Sequence, residues 1–138
     1  MVERDLVLSK AATIDRCLAR IAEVRSRPPG ALLPVDLEDI VVLNVTRAVQ
    51  AAADLAAHVV AAEGYGLPDS LAAAFTLLEG QGVIDAELAA KMRQAMAFRN
   101  IAVHKYEAVD ARIVEAIASH RIEDLRHFAA RMVGRYAP

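Results

Sequence analysis

The chain has no tryptophan, one cysteine, six glycines and five prolines, and aromatic residues make up only 4% of its 138 positions. The single cysteine, Cys17, excludes an intramolecular disulfide and any metal cluster built on the cysteines of one chain, and a reducing cytoplasm is the expected setting. Scarce glycine and proline argue against low-complexity disorder. Neither charge sign dominates: the formal net charge is −2, so only a local basic patch could attract a phosphate backbone. The opening "MVERDLVLSK" carries charges at Glu3, Arg4, Asp5 and Lys10 where an export signal would need an apolar run, so a mature, unexported protein is expected. The most apolar stretch, "AAADLAAHVVAA", is interrupted by Asp54 and His58 and is too short to span a bilayer, so no membrane partner is expected.

Strand-like alternation and internal repeats are missing as well. What is present is alanine and helical periodicity in a chain that is 56% hydrophobic and of one-domain length, read here as a single domain over residues 1–138. From about Val2 to Arg27, Val7, Ala11, Ile14, Leu18, Ile21 and Val24 recur at helical spacing. "RPPGALLP" then breaks the helix. Asp36 is read as the N-cap of a second helix reaching about Glu63, which is apolar on more than one side and so belongs at the centre of a bundle or in a dimer.

"GYGLPDS" interrupts again, with Asp69 or Ser70 capping a short helix through Leu78 that "EGQGVID" closes. Asp85 begins a fourth helix with Leu88, Met92, Ala95, Met96 and Val103 on one stripe, and Asp110 begins a fifth through about Val133. The expected fold is all-α: an antiparallel four-helix bundle with one additional short helix.

The chemistry-bearing residues gather in "FRNIAVHKYE", residues 98–107. Arg99 falls on the apolar face of Leu88, Met92 and Met96, and Tyr106 would extend that face if the helix continued. An unpaired buried guanidinium costs several kcal/mol, on the order of a broken buried ion pair, so Arg99 requires a carboxylate or a cleft that admits an anion. His104 follows five residues later, about 140° around an ideal helix, so the two side chains do not converge on one straight helix. Either the helix ends between them or two chains build the site.

Arginine can hold a phosphate with a bidentate fork, histidine can exchange protons near neutral pH, and asparagine, here Asn100, can orient either group. Together they suit metal-free phosphoryl transfer. No Gly-rich phosphate loop, zinc-type spacing or nucleophile elbow competes with that reading. His58, His120 and His127 are read as ordinary satisfied polar groups, and the carboxylates as caps and solvated faces.

Arg99, His104 and Tyr106 together have the R-x4-H-x-Y form of HEPN-domain ribonuclease toxins of the HepT type, and the sequence resembles that family from about residue 36 to 133. "DLAAHVV", "YGLPDSLAAAFTLLEGQGVID" and "MAFRNIAVHKYEAVD" look like its successive landmarks, whereas the N-terminal helix agrees only in character. The resemblance implies a HEPN-like homodimer with the Arg and His motifs of both subunits at a shared cleft. It implies a metal-independent endoribonuclease that needs no cofactor, in which an RNA 2′-hydroxyl attacks the adjacent phosphate.

By the same resemblance Arg99, His104 and Asn100 would be catalytic, and Tyr106 would be AMPylated by an MNT-type nucleotidyltransferase antitoxin, a further partner in a larger assembly. The substrate would be mRNA or tRNA rather than DNA. Two alternatives stay open on the residues alone: a non-catalytic helical module that binds a nucleotidyltransferase or nucleotide, and a scaffold in which Arg99 and His104 staple subunits.

Overall fold

A computed structural model describes the backbone of residues 1–138 and every side chain except that of Ala108. Five helices run in chain order: α1 Arg4–Arg25, α2 Pro34–Glu63, α3 Leu71–Gly80, α4 Ala86–His104 and α5 Ala111–Tyr136, with a 3₁₀ turn at Tyr106–Ala108 between the last two. No strand occurs among the described residues. The four long helices and one short one match the architecture expected from periodicity.

α2 touches all four other helices and forms the centre of the bundle. Its alanines make this possible: Ala48, Ala52, Ala53 and Ala56 are fully buried, and side chains this small let neighbouring helices approach on several sides. The α1 stripe from Val7 to Val24 is buried as expected. On the far side of the bundle Phe75 of α3 meets Phe128 of α5 edge to face, with ring centroids 5.4 Å apart.

Helix directions follow from polar contacts at the ends. The backbone N–H of Glu3 donates to His58 Nε2 at 3.0 Å and Arg25 pairs with Glu115 at 2.7 Å, so the start of α1 lies beside the end of α2 and its end beside the start of α5. Arg131 Nε donates to the Val83 carbonyl at 3.0 Å, which sets the end of α5 near the start of α4. The end of α1, the start of α2, the end of α4 and the start of α5 therefore share one end of the bundle, where the Arg99–Tyr106 segment lies.

Three expectations are corrected. α2 starts at Pro34 with Leu33 as its N-cap residue, and Asp36 sits in the first turn. Proline at the first helical position has its φ preset and loses an N–H that would have no intrahelical partner, so the residue taken as a breaker initiates the helix. Val103 does not join the buried stripe of α4 and is 47% exposed. The apolar run around His58 belongs to a 30-residue helix with a window of mean hydropathy 1.3, long and apolar enough to cross a membrane by length and composition, and 61% of that window is buried inside the bundle.

The remaining helix starts hold, while α3 runs two residues past Leu78 to Gly80 and α5 three past Val133 to Tyr136. Ser70 caps α3 by accepting from Ala73 N–H, Asp85 caps α4 by accepting from Leu88 N–H, and Asp110 caps α5 by accepting from Arg112 and Ile113 N–H. α2 closes on Gly64 at φ +68°, the left-handed conformation that lets Tyr65 N–H return to the Val60 carbonyl at 2.9 Å.

Candidate active site

α4 carries Leu88, Met92, Ala95 and Met96 into the core, and Arg99 extends that face at the end of the bundle. The helix runs unbroken through His104, so it does not end between Arg99 and His104. Within one chain the two side chains therefore leave the same helix in different directions, separated by about 7.5 Å of helical rise as well as by rotation. No hydrogen bond joins them among the described residues. Of the two geometries open at the outset, a helix end between the two residues is not what this chain has.

Arg99 is half-buried. Its Nε is buried with no hydrogen-bond partner, and its only hydrogen bond among the described side chains is from Nη1 to Asn100 Oδ1 at 3.1 Å. No carboxylate pairs with it among the described residues, in contrast to Arg93 and Arg121, which reach Glu79 and Asp124. A guanidinium with a neutral amide as its contact and a desolvated Nε keeps its full charge for an incoming anion. His104 is exposed at the last position of α4.

Lys105, at φ −142° and ψ 55°, turns the chain out of the helix, and Tyr106 opens the 3₁₀ turn instead of extending the α4 face. Its ring is no core plug: the residue is 45% exposed. The phenol donates a hydrogen bond to Asp39 Oδ1 on the first turns of α2. That bond, reinforced by partial desolvation and by the negative charges of Asp39 and Glu38, pushes the phenol from its ordinary value of 10 up to about 12.

Asp39 is a neighbour of Tyr106 that the sequence pattern does not reveal, because 67 residues separate the two and its place near a helix start already has a sufficient explanation. Among the other histidines, His58 accepts the Glu3 N–H, as a satisfied polar group should. Among the described residues no three His, Cys, Asp or Glu side chains gather in a metal-holding group. A cleft of about 210 Å³ opens between α1, α2 and α5, and none of the four motif residues lines it.

Comparison with known proteins supplies the family. The family described as Ribonuclease HepT-like matches residues 10–132, which adds most of α1 to the span suggested by the motifs. This chain belongs to the HepT-like ribonuclease family. The mRNA nuclease HepT of Shewanella oneidensis is 34% identical over 124 residues, covering 90% of this chain and 93% of that protein.

Two solved structures share the HepT-like fold closely. A tri-AMPylated Shewanella oneidensis HEPN toxin in complex with MNT antitoxin superposes with a TM-score of 0.88 at 32% identity, covering 96% of this chain and 99% of that one. A toxin–antitoxin complex with AMP-PNP gives a TM-score of 0.87 at 32% identity, covering 94% and 98%.

Proposed function

We propose that this HepT-like chain is a metal-independent endoribonuclease toxin of a toxin–antitoxin pair, acting on RNA in the cytoplasm as a homodimer and silenced by an MNT-type nucleotidyltransferase that AMPylates Tyr106. The observation that carries the catalytic part is Arg99: a half-buried cation with no carboxylate partner among the described residues, five residues before His104 at the end of the bundle. Similarity to an mRNA nuclease favours mRNA as the substrate, and similarity to an AMPylated toxin bound to MNT antitoxin supports the silencing partner.

The dimer has two supports. One is the divergence of Arg99 and His104 on an unbroken helix. The other is the surface around them. Val35, Asp39 and Leu43 follow one another at four-residue spacing on α2, with Val35 57% and Leu43 48% exposed, and Ile101 and Val103 of α4 are also exposed. A second copy laid over this end would cover these apolar side chains and set His104 of one copy beside Arg99 of the other.

In that cleft an RNA phosphate sits on the Arg99 fork. His104 takes the 2′-hydroxyl proton as that oxygen bonds to phosphorus and returns a proton to the 5′-oxygen as its bond to phosphorus breaks, leaving a 2′,3′-cyclic phosphate and a free 5′-hydroxyl. Arg99 balances the charge growing on the non-bridging oxygens, an effect worth roughly 3 to 4 kcal/mol per donor in comparable sites. Asn100 fixes the guanidinium plane.

The test is cleavage of an mRNA panel by the purified chain, free of antitoxin, in excess EDTA. Cleavage with cyclic phosphate ends, reduced about 100-fold or more in Arg99→Ala and in His104→Ala, is the expected result. Equal cleavage by the two variants and the parent protein would assign the activity to a contaminant and leave a non-catalytic partner-binding module.

A further inference from the structure

The phenol of Tyr106 reaches solvent on one side and is held by a carboxylate on the other. Among the described side chains Asp39 is the only group hydrogen-bonded to it, and the phenol is the donor in that bond. The tether joins two segments far apart in sequence, the first turns of α2 and the 3₁₀ turn after α4, so bundle packing fixes it rather than local loop geometry. In the single chain nearly half of the residue is exposed.

A neutral phenol is a weak nucleophile toward phosphorus, and its attack is helped when a positioned base removes the proton as the new bond forms. We infer that Asp39 is the general base for AMPylation of Tyr106, so that the toxin itself supplies a catalytic group to the reaction that silences it. This rests on the reading of Tyr106 as the acceptor.

The step balances as a nucleotidyl transfer from ATP. Tyr106 Oη bonds to the α-phosphorus, the bond from that phosphorus to the bridging oxygen of the β-phosphate breaks, and pyrophosphate leaves with the electron pair. The phenolic proton passes along the existing hydrogen bond to Asp39 Oδ1. The antitoxin then needs to deliver and orient the nucleotide, while the acceptor arrives already paired with its base.

The arrangement also accounts for why this tyrosine would be chosen over the other two. Tyr136 has a buried hydroxyl with no hydrogen-bond partner, and no carboxylate is hydrogen-bonded to Tyr65 among the described residues. The charged groups that act on the phenol are Asp39 and Glu38 from α2, and the titratable residues next to Tyr106 in sequence are His104, Lys105 and Glu107.

The experiment measures the initial rate of AMP addition to the full-length chain by its cognate MNT-type nucleotidyltransferase with ATP, followed by intact mass and peptide mapping from pH 6 to 9. Parent protein, Asp39→Asn, Glu38→Gln and Tyr106→Phe are compared, with circular dichroism and complex formation confirming that each variant folds and binds. The inference expects Asp39→Asn to be slower by about 100-fold at pH 7 and to regain rate by about tenfold per pH unit, because the phenol must now ionise beforehand. Glu38→Gln should stay near the parent rate.

Parent-like rates in Asp39→Asn would overturn the inference and place the base in the antitoxin. A slowing by the same factor at every pH would also overturn it, because that is what misplacement of the ring predicts. If the parent protein gained AMP at a residue other than Tyr106, or if Tyr106→Phe were modified normally, the acceptor assignment itself would fall. That failure is visible without reference to Asp39.

Discussion

At the scale of single residues, the site is defined by which charges are paired. Arg99 could be recognised in the sequence because it interrupts a run of Leu88, Met92 and Met96, and burial of a cation demands an explanation that the line of residues itself poses. Asp39 posed no such question, since an acidic residue near a helix start is satisfied by the helix dipole, and only the tertiary fold brings it to Tyr106. The pairing predicts a titration. Tyr106 is neutral in the folded protein well past the ordinary phenol range, ionising near pH 12. Because the folded value is raised, its contribution to stability is fully present below about pH 10 and is lost as pH rises through 12. Ultraviolet difference spectra against Tyr106→Phe should show this late phenolate signal, and Asp39→Asn should bring it back toward 10. An unmoved signal in Asp39→Asn would dissociate the shift from the hydrogen bond.

At the scale of helices, nearly everything was legible where one strong local signal acted alone. Ser70, Asp85 and Asp110 each have a side-chain oxygen one step before an apolar periodic run, and each accepts the backbone N–H groups that a helix start leaves free. The start of α2 was misread because Pro34 both ends an extended segment and begins a helix, and a composition rule cannot choose between those roles without the backbone. The exposure of Val103 was hidden for a related reason: in the last turns of α4 the buried positions are Phe98 and Ala102, so the core-facing side has shifted by one residue from the stripe of Met92 and Met96 that Val103 continues. Asp85→Ala should lower the unfolding free energy by about 1 kcal/mol in urea titrations, by loss of the cap to Leu88. Asp110 differs in sensitivity to acid. Its bonds from the Ile113 and Arg112 N–H groups and the nearby Arg112 charge hold its carboxyl below the ordinary value. Its contribution is therefore present above the usual carboxylate range and disappears as pH falls through the lowered folded value. The melting-temperature gap between parent and Asp110→Ala should accordingly close on acidification below pH 4, and a gap independent of pH would show that the cap acts without its charge.

At the scale of the whole molecule, the bundle and the proposed chemistry meet at a single fact: α4 runs unbroken through His104. Had the helix ended after Arg99, one chain could have turned His104 back onto the same phosphate. The continuous helix instead sends the two residues in different directions at the open end of the bundle, beside exposed Val35, Leu43, Ile101 and Val103. A two-fold pairing makes two equivalent sites, each with Arg99 from one copy and His104 from the other, and this has a consequence that a one-chain site lacks. Arg99→Ala and His104→Ala are each expected to be inactive alone. After they are mixed, unfolded and refolded together, about half of the dimers are mixed, and each of those holds one intact site and one lacking both residues, so about a quarter of parental RNA cleavage should return. Leu43→Asp, which puts a charge on the surface to be covered, should abolish that recovery and shift the protein to monomer in sedimentation velocity while its circular dichroism stays helical. If the mixture remains as inactive as its components although the dimer persists, Arg99 and His104 do not act across the interface, and the geometry of α4 would require each chain to rearrange before it could cut RNA.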